Sequence, residues 1–253
     1  TIKMQIFRQK EDSMRQIQKR SSFNKIILSP PYSNILSYKN TTPILGTYTK
    51  NRRPGRQRVF TTLRKAKNGW YNKSGLRNPG IENLIYRKNA IYSIALLKNN
   101  DWHLIRDVLL QKDISSIEFN VSCPNHPVQL LNPSIICQAN YCFENVIIKM
   151  PHQTSLKFIE DYIEEGIHII HISNTKPTDK GALSGKQLVY NNLKLIEELK
   201  EKYPYIRVIG GGGIYDIDTL KSYESAGADH FSLSTVLLNP IKTKNLIKEY
   251  YNE

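Results

Sequence analysis

No run of apolar residues in this 253-residue chain approaches the roughly 20 that a membrane-spanning helix requires. The opening segment, residues 1–22, is basic and polar and lacks the apolar centre of a secretory signal, so a cytoplasmic protein is expected. Cysteine is scarce as well. Cys123, Cys137 and Cys142 are odd in number and show no Cys-x-x-Cys spacing, which argues against a disulfide framework, a zinc site or an iron–sulfur cluster. No metal is expected, and one thiol is left available for chemistry. Acidic residues are missing altogether between Ser13 and Ile81, a stretch that holds 15 Lys and Arg. The remainder, with 21 basic and 22 acidic residues, is close to neutral, so the net charge of +14 resides in the first third. It is densest from Lys50 to Lys67, where Phe60 is the single aromatic. Without interleaved stacking platforms, a solvated basic loop is expected there, and a surface for nucleic acid or anionic lipid is the alternative.

What the chain does have is alternation. Short apolar or β-branched runs stand at Lys25–Leu28, Ile44–Thr47, Tyr92–Leu96, Ile117–Val121, Val146–Lys149, His168–Ile172, Arg207–Gly210 and His230–Leu233. Helical spacing of three and four separates several of them, at Asp101–Gln111, Thr154–Glu165, Asn192–Lys202, Ile217–Ala226 and Ile241–Tyr251. Asp101 is the expected N-terminal cap of the first helix. Eight strands with intervening helices in a chain of this length predict an α/β fold, a single (β/α)₈ TIM barrel over residues 23–253, preceded by the basic segment 1–22. The stretch from Lys50 to Asn78 is longer than an ordinary connection, and long loops in compact domains are usually functional.

In such a barrel the chemistry belongs at the C-terminal ends of the strands. After the seventh strand come Gly210, Gly211, Gly212 and Gly213, and after the eighth come Ser234 and Thr235. Backbone N–H groups at these two turns make an expected phosphate site. After the fourth strand comes Asn120-Val121-Ser122-Cys123-Pro124-Asn125, whose alternation turns Asn120 toward the barrel mouth and whose proline stiffens the turn carrying Cys123. A tuned thiol there exchanges protons, whereas Cys137 and Cys142 read as small buried hydrophobes. Lys149 ends the fifth strand and suits the neutralisation of charge developing on a bound ring. Ser173-Asn174-Thr175 after the sixth suits an amide-rich ligand. His168 and His171, three apart on a strand, point to opposite faces and read as structural.

Taken in order, Asn120 to Asn125, Ile147-Ile148-Lys149, Ile172 to Thr175, Gly181-Ala182-Leu183-Ser184-Gly185 and Ile209 to Ile214 resemble dihydroorotate dehydrogenase. Tyr71 to Gly80 is similar to that family's Asn-x-x-Gly-Leu-x-Asn-x-Gly segment, so the likeness spans roughly Thr47 to Pro240. The resemblance implies an FMN-dependent oxidoreductase of pyrimidine biosynthesis that oxidises dihydroorotate to orotate. It implies Cys123 as the base, in the position where the membrane-associated class carries serine, and Lys149 beside the flavin ring. It implies that Asn72, Asn120, Asn125, Asn174 and Thr175 grip the pyrimidine, with Gly75 and Leu76 donating to the substrate carboxylate. Thr47, Asn120, Lys149, Ser184, Gly185, Gly212, Gly213, Ser234 and Thr235 are the implied flavin contacts. A homodimer acting on a small dihydropyrimidine is implied as well.

Three positions depart from the family pattern. Gly46 stands for a lysine, Pro30-Pro31 for a glycine turn, and Ser234 for a glycine. The connection from Lys176 to Lys180 is also curtailed. Two other readings therefore stand beside the first. One is a transfer-RNA dihydrouridine synthase, a related flavin barrel with a cysteine acid, although Ser-Cys-Pro-Asn differs from the Gly-Cys-Pro it favours. The other is a non-catalytic barrel with a basic binding surface.

Overall fold

Runs rich in isoleucine and valine, broken by Gly, Pro and Asn, fold into strands of three to eight residues. The structure is a computed structural model that describes residues 23–54, 62–73, 75–121, 131–173 and 175–252. β1 (Ile26–Leu28) and β2 (Thr41–Tyr48) precede a short pair, β3 (Arg64–Ala66) and β4 (Gly69–Asn72). Then come β5 (Ile91–Ile94), β6 (Ser116–Asn120), β7 (Asn145–Lys149) and β8 (Ile169–Ile172). A second short pair, β9 (Lys176–Thr178) and β10 (Gly181–Gly185), precedes β11 (Arg207–Gly211) and β12 (His230–Leu233). Eight of these strands close a barrel in the order β1-β12-β11-β8-β7-β6-β5-β2, with neighbours parallel throughout. The expected (β/α)₈ barrel is the fold, and each expected strand occurs within three residues of its expected ends.

Among the described residues the helices are α1 (Asp101–Gln111), α2 (Pro133–Cys142), α3 (Leu156–Glu164), α4 (Val189–Lys202), α5 (Ile217–Ser225) and α6 (Pro240–Tyr251). Between β1 and β2 there is only a single 3₁₀ turn, Tyr32–Asn34. Two details differ from expectation. Asp101 does not cap α1, because its carboxylate turns back to accept from the Lys98 N–H at 3.2 Å and Asn100 enters the helix without a side-chain cap. α2 has no counterpart among the expected helices, although Asn132, accepting from the Ser134 N–H at 2.9 Å, and Pro133 behind it form a readable start signal. No described helix is long and apolar enough to cross a membrane.

The inner face of the barrel is layered. Ile27, Ile44, Ile91, Ile147, Ile169 and Ile209 form one apolar cluster, plugged by Phe23. Each buried isoleucine contributes about 1.5–3 kcal/mol relative to exposure. Further along the barrel, inward residues turn polar at Ser29, Ser93, Glu118, His171 and Ser232, all buried. The four short strands form a separate antiparallel sheet, β3-β4-β10-β9. The curtailed connection after β8 is thus a hairpin, closed by the Thr178 hydroxyl donating to the Gly181 carbonyl at 2.6 Å. Both segments of this sheet leave the C-terminal end of the barrel, the first as part of the long Lys50–Asn78 connection.

Helix α5 starts immediately beyond the glycine-rich turn after β11. Asp216 caps it, accepting from the Thr219 N–H at 2.9 Å and from the Thr219 hydroxyl. The Thr219 contacts hold the Asp216 carboxyl below its ordinary value near 3.8. Asp216→Ala is expected to lower stability by about 1 kcal/mol in urea denaturation at neutral pH. A depressed carboxyl stabilises the fold above its ordinary range and loses that contribution as pH falls through the depressed value, so the variant and the parent should converge in acid. A constant difference at every pH would show that the cap acts without its charge.

Candidate active site

Above the polar layer the barrel opens into a cavity of about 1270 Å³, counted with its mouth. Barrel strands and their ends supply Thr47, Asn120, Lys149 and Thr175 to its lining. The turns after β11 and β12 supply Gly212, Gly213, Ser234 and Thr235. The small sheet and the segment after it supply Asn72, Gly75, Leu76 and Ser184. Gly185 sits just behind, its carbonyl against Gly213. Candidates scattered from residue 47 to residue 235 therefore converge on one space. Cys123, Asn125 and Asn174 lie outside the described residues, as do residues 1–22.

Local structure explains each placement. Strand register sets Asn120 beside Lys149 and Lys149 beside His171, so these side chains share the inner face at the C-terminal end. β4 pairs with β10 so that Asn72 lies opposite Ala182, and the Asn72 amide donates to the Ala182 carbonyl at 3.3 Å. Pairing at the other end of the hairpin is close: a Cβ on Gly69 would lie 1.7 Å from the Ser184 carbonyl oxygen. Glycine is required there for the sheet to form.

The far end of the cavity is built from backbone. Gly213 has φ +86°, a conformation that favours glycine, and a Cβ there would meet the Gly185 carbonyl oxygen at 2.7 Å. Ser234, by contrast, has a negative φ of −132°, outside the left-handed region that favours glycine. Among the described residues no carbonyl accepts from the N–H groups of Gly213, Ser234 or Thr235. Donors of this kind at two adjacent turns suit an anion with several oxygens, such as a phosphate.

The opposite wall contains residues the sequence did not single out. Ser29 and Ser232 hydroxyls meet at 2.5 Å beneath Pro30 and Pro31. Tyr32 lines the same wall, and burial pushes its hydroxyl up to about 12, keeping it a neutral donor. Arg77 adds a cation at the rim. Gly46, at φ +118°, passes so close to β5 that a Cβ would lie 2.4 Å from the Ser93 carbonyl oxygen. Its own N–H and carbonyl are both met by the Asn34 side chain, at 2.9 and 3.0 Å.

Below the cavity a hydrogen-bond chain runs into the barrel. The Asn120 amide donates to Thr47 Oγ1 at 2.9 Å, Thr47 meets Ser93 Oγ at 3.1 Å, and Ser93 donates to Glu118 Oε1 at 2.8 Å. Glu118 Oε2 lies 2.6 Å from His171 Nδ1. Burial pushes the Glu118 carboxyl up, but His171, Lys149 and Ser93 outweigh it and bring it below its usual range. Burial depresses the His171 ring more strongly than Glu118 raises it, and Lys149 depresses it further. His171 is thus more than a buried filler. The signal for Glu118 was its position two residues before Asn120, on the same face of the strand.

Comparison with known proteins gives a consistent direction. No family model matches the chain. The catalytic subunit of dihydroorotate dehydrogenase B (NAD(+)) from Petrotoga mobilis is 24% identical over 220 residues, 71% of this chain and 71% of that protein. The corresponding subunit from Thermotoga maritima is 27% identical over 207 residues, 70% of this chain and 76% of its own. The structure of a ligand-free type DHODH from Eimeria tenella shares the fold, with a TM-score of 0.65 at 16% identity, covering 83% of this chain and 77% of that one.

Gly213→Ala is expected to destabilise the protein by about 1–3 kcal/mol, because a left-handed turn and a carbonyl contact are both violated. Ser234→Gly should change stability by less than about 0.5 kcal/mol, since the φ of Ser234 does not call for glycine. Urea midpoints of the two variants check this. A neutral Gly213→Ala would mean that the turn relaxes freely and is not a preformed cradle.

Proposed function

From the relationship of this chain to the dihydroorotate dehydrogenases, we propose that it binds flavin mononucleotide in the barrel-mouth cavity and oxidises dihydroorotate to orotate there. The observation that carries the proposal is the convergence of a lysine, two asparagines and a backbone anion cradle on one cavity. The residues present fit the cofactor. Gly213, Ser234 and Thr235 offer unengaged N–H groups for its phosphate, and Gly212, Ser184 and Gly185 stand beside them for the ribityl chain. Lys149, Thr47 and Asn120 would border its ring.

When bound, the flavin supplies the acceptor for one hydride. The remaining work falls to side chains of this chain. Asn72 and Asn120, with Asn125, Asn174 and Thr175, would hold the amide-rich pyrimidine by donating to its carbonyls and accepting from its N–H groups. Backbone N–H groups of Gly75 and Leu76 would receive its carboxylate, with Arg77 adding a cation at the rim. Cys123, as thiolate, would take the single proton that must leave as the hydride departs. The Lys149 ammonium would offset the negative charge that arises beside it. Pro30, Pro31 and Tyr32 form a rigid wall that excludes water from this side.

A purified sample should show the visible absorption of a flavin, and that absorption should bleach when dihydroorotate is added without oxygen. Cys123→Ala should keep the flavin and lose bleaching by at least about a hundredfold in rate, the usual scale of one general base. A flavin that ignores dihydroorotate in the parent protein would overturn the substrate. A colourless protein that cannot be reconstituted would overturn the cofactor.

A further inference from the structure

Glu118 and His171 are both fully buried, and the proposed chemistry uses neither. They lie on β6 and β8 and flank β7, the strand that carries Lys149. The protons in the chain above the carboxylate have a fixed direction. A serine hydroxyl has one proton, and Ser93 gives it to Glu118. Thr47 must then donate to Ser93, and Asn120 donates to Thr47. Every donor between the cavity and the barrel interior points at Glu118, a polarity that suits an anion at the end of the chain.

A buried carboxylate with only neutral donors is costly, so a cation must accompany it. Two groups could serve, the His171 ring or the Lys149 ammonium. The other inward groups of this layer, Ser29, Ser93 and Ser232, are neutral. His171 Nε2 decides between the two. It is buried and has no hydrogen-bond partner among the described residues. An imidazolium would orphan a charged N–H there, whereas a neutral ring protonated at Nδ1 leaves only a lone pair. Lys149 is half-buried, lines the cavity and stands on the strand between the two, and its field acts on both Glu118 and His171.

We propose that Glu118 is the buried counter-ion of Lys149, and that His171, held as the neutral Nδ1–H tautomer, is a positioning residue that fixes this carboxylate in place. The arrangement sets an anion on the strand beside Lys149 where a ligand meets it, and it ties the orientation of the Asn120 amide to the same anion. It draws on the proposed function only in that Lys149 faces a ligand.

The test is long-range ¹H–¹⁵N correlation NMR on the purified protein labelled at its six histidines. The His171 signals are assigned by their loss in His171→Gln. The neutral Nδ1–H pattern is expected, unchanged between about pH 5.5 and 8.5, the span in which an ordinary histidine titrates. Lys149→Met removes the cation, so His171 should then become an imidazolium at the acid end of that range. A ring with a purely structural role would not respond in this way. An imidazolium or an Nε2–H tautomer in the parent protein would overturn the proposal on the wild-type spectrum alone. So would a Lys149→Met variant whose His171 stays neutral. The expected pattern in a protein that takes up no flavin would contradict the functional reading and leave this one standing.

Discussion

Closing eight parallel strands into a barrel forces every second side chain into a narrow interior, and everything at the site follows from how this chain fills it. Six isoleucines occupy one level and exclude water. Beyond them, inward positions carry hydroxyls, a carboxylate and an imidazole that are buried and hydrogen-bond to one another. The result is a rigid polar floor beneath an open cavity. Asn120 extends from that floor with its amide held by Thr47, and Lys149 stands beside it.

The barrel itself was legible because its signals are local. Isoleucine-rich runs such as Val146–Lys149 and His168–Ile172 have only one comfortable place in an α/β chain, and turn residues mark their ends. The lid-like sheet was not legible. β3 and β9 are three-residue, mostly polar strands that pair only within their own hairpins, and the sheet joins through β4 and β10, about 110 residues apart, as at Asn72 and Ala182. Of the site, residues next to strand ends could be read by alternation, and they converge. The Glu118–His171 pair could not, because the sequence shows two buried positions and not that their side chains meet across an intervening strand.

The departures from the dihydroorotate dehydrogenase pattern acquire physical reasons. Gly46 belongs where the backbone presses on β5 and leaves no space for a side chain. Ser234 has a negative φ, so the backbone there does not call for the glycine of that pattern. Pro30 and Pro31 cover a serine pair and give the cavity a stiff wall. None of the three dismantles the cradle at Gly213, Ser234 and Thr235.

The contrast between two ligands tests that cradle. Equilibrium titration of the flavin-free protein with flavin mononucleotide and with riboflavin, followed by fluorescence quenching, isolates the phosphate. Flavin mononucleotide should bind at least about tenfold tighter, about 1.4 kcal/mol or more from the backbone donors. Equal affinities would mean that the two turns hold no phosphate, and the reading of the cavity built on them would be wrong.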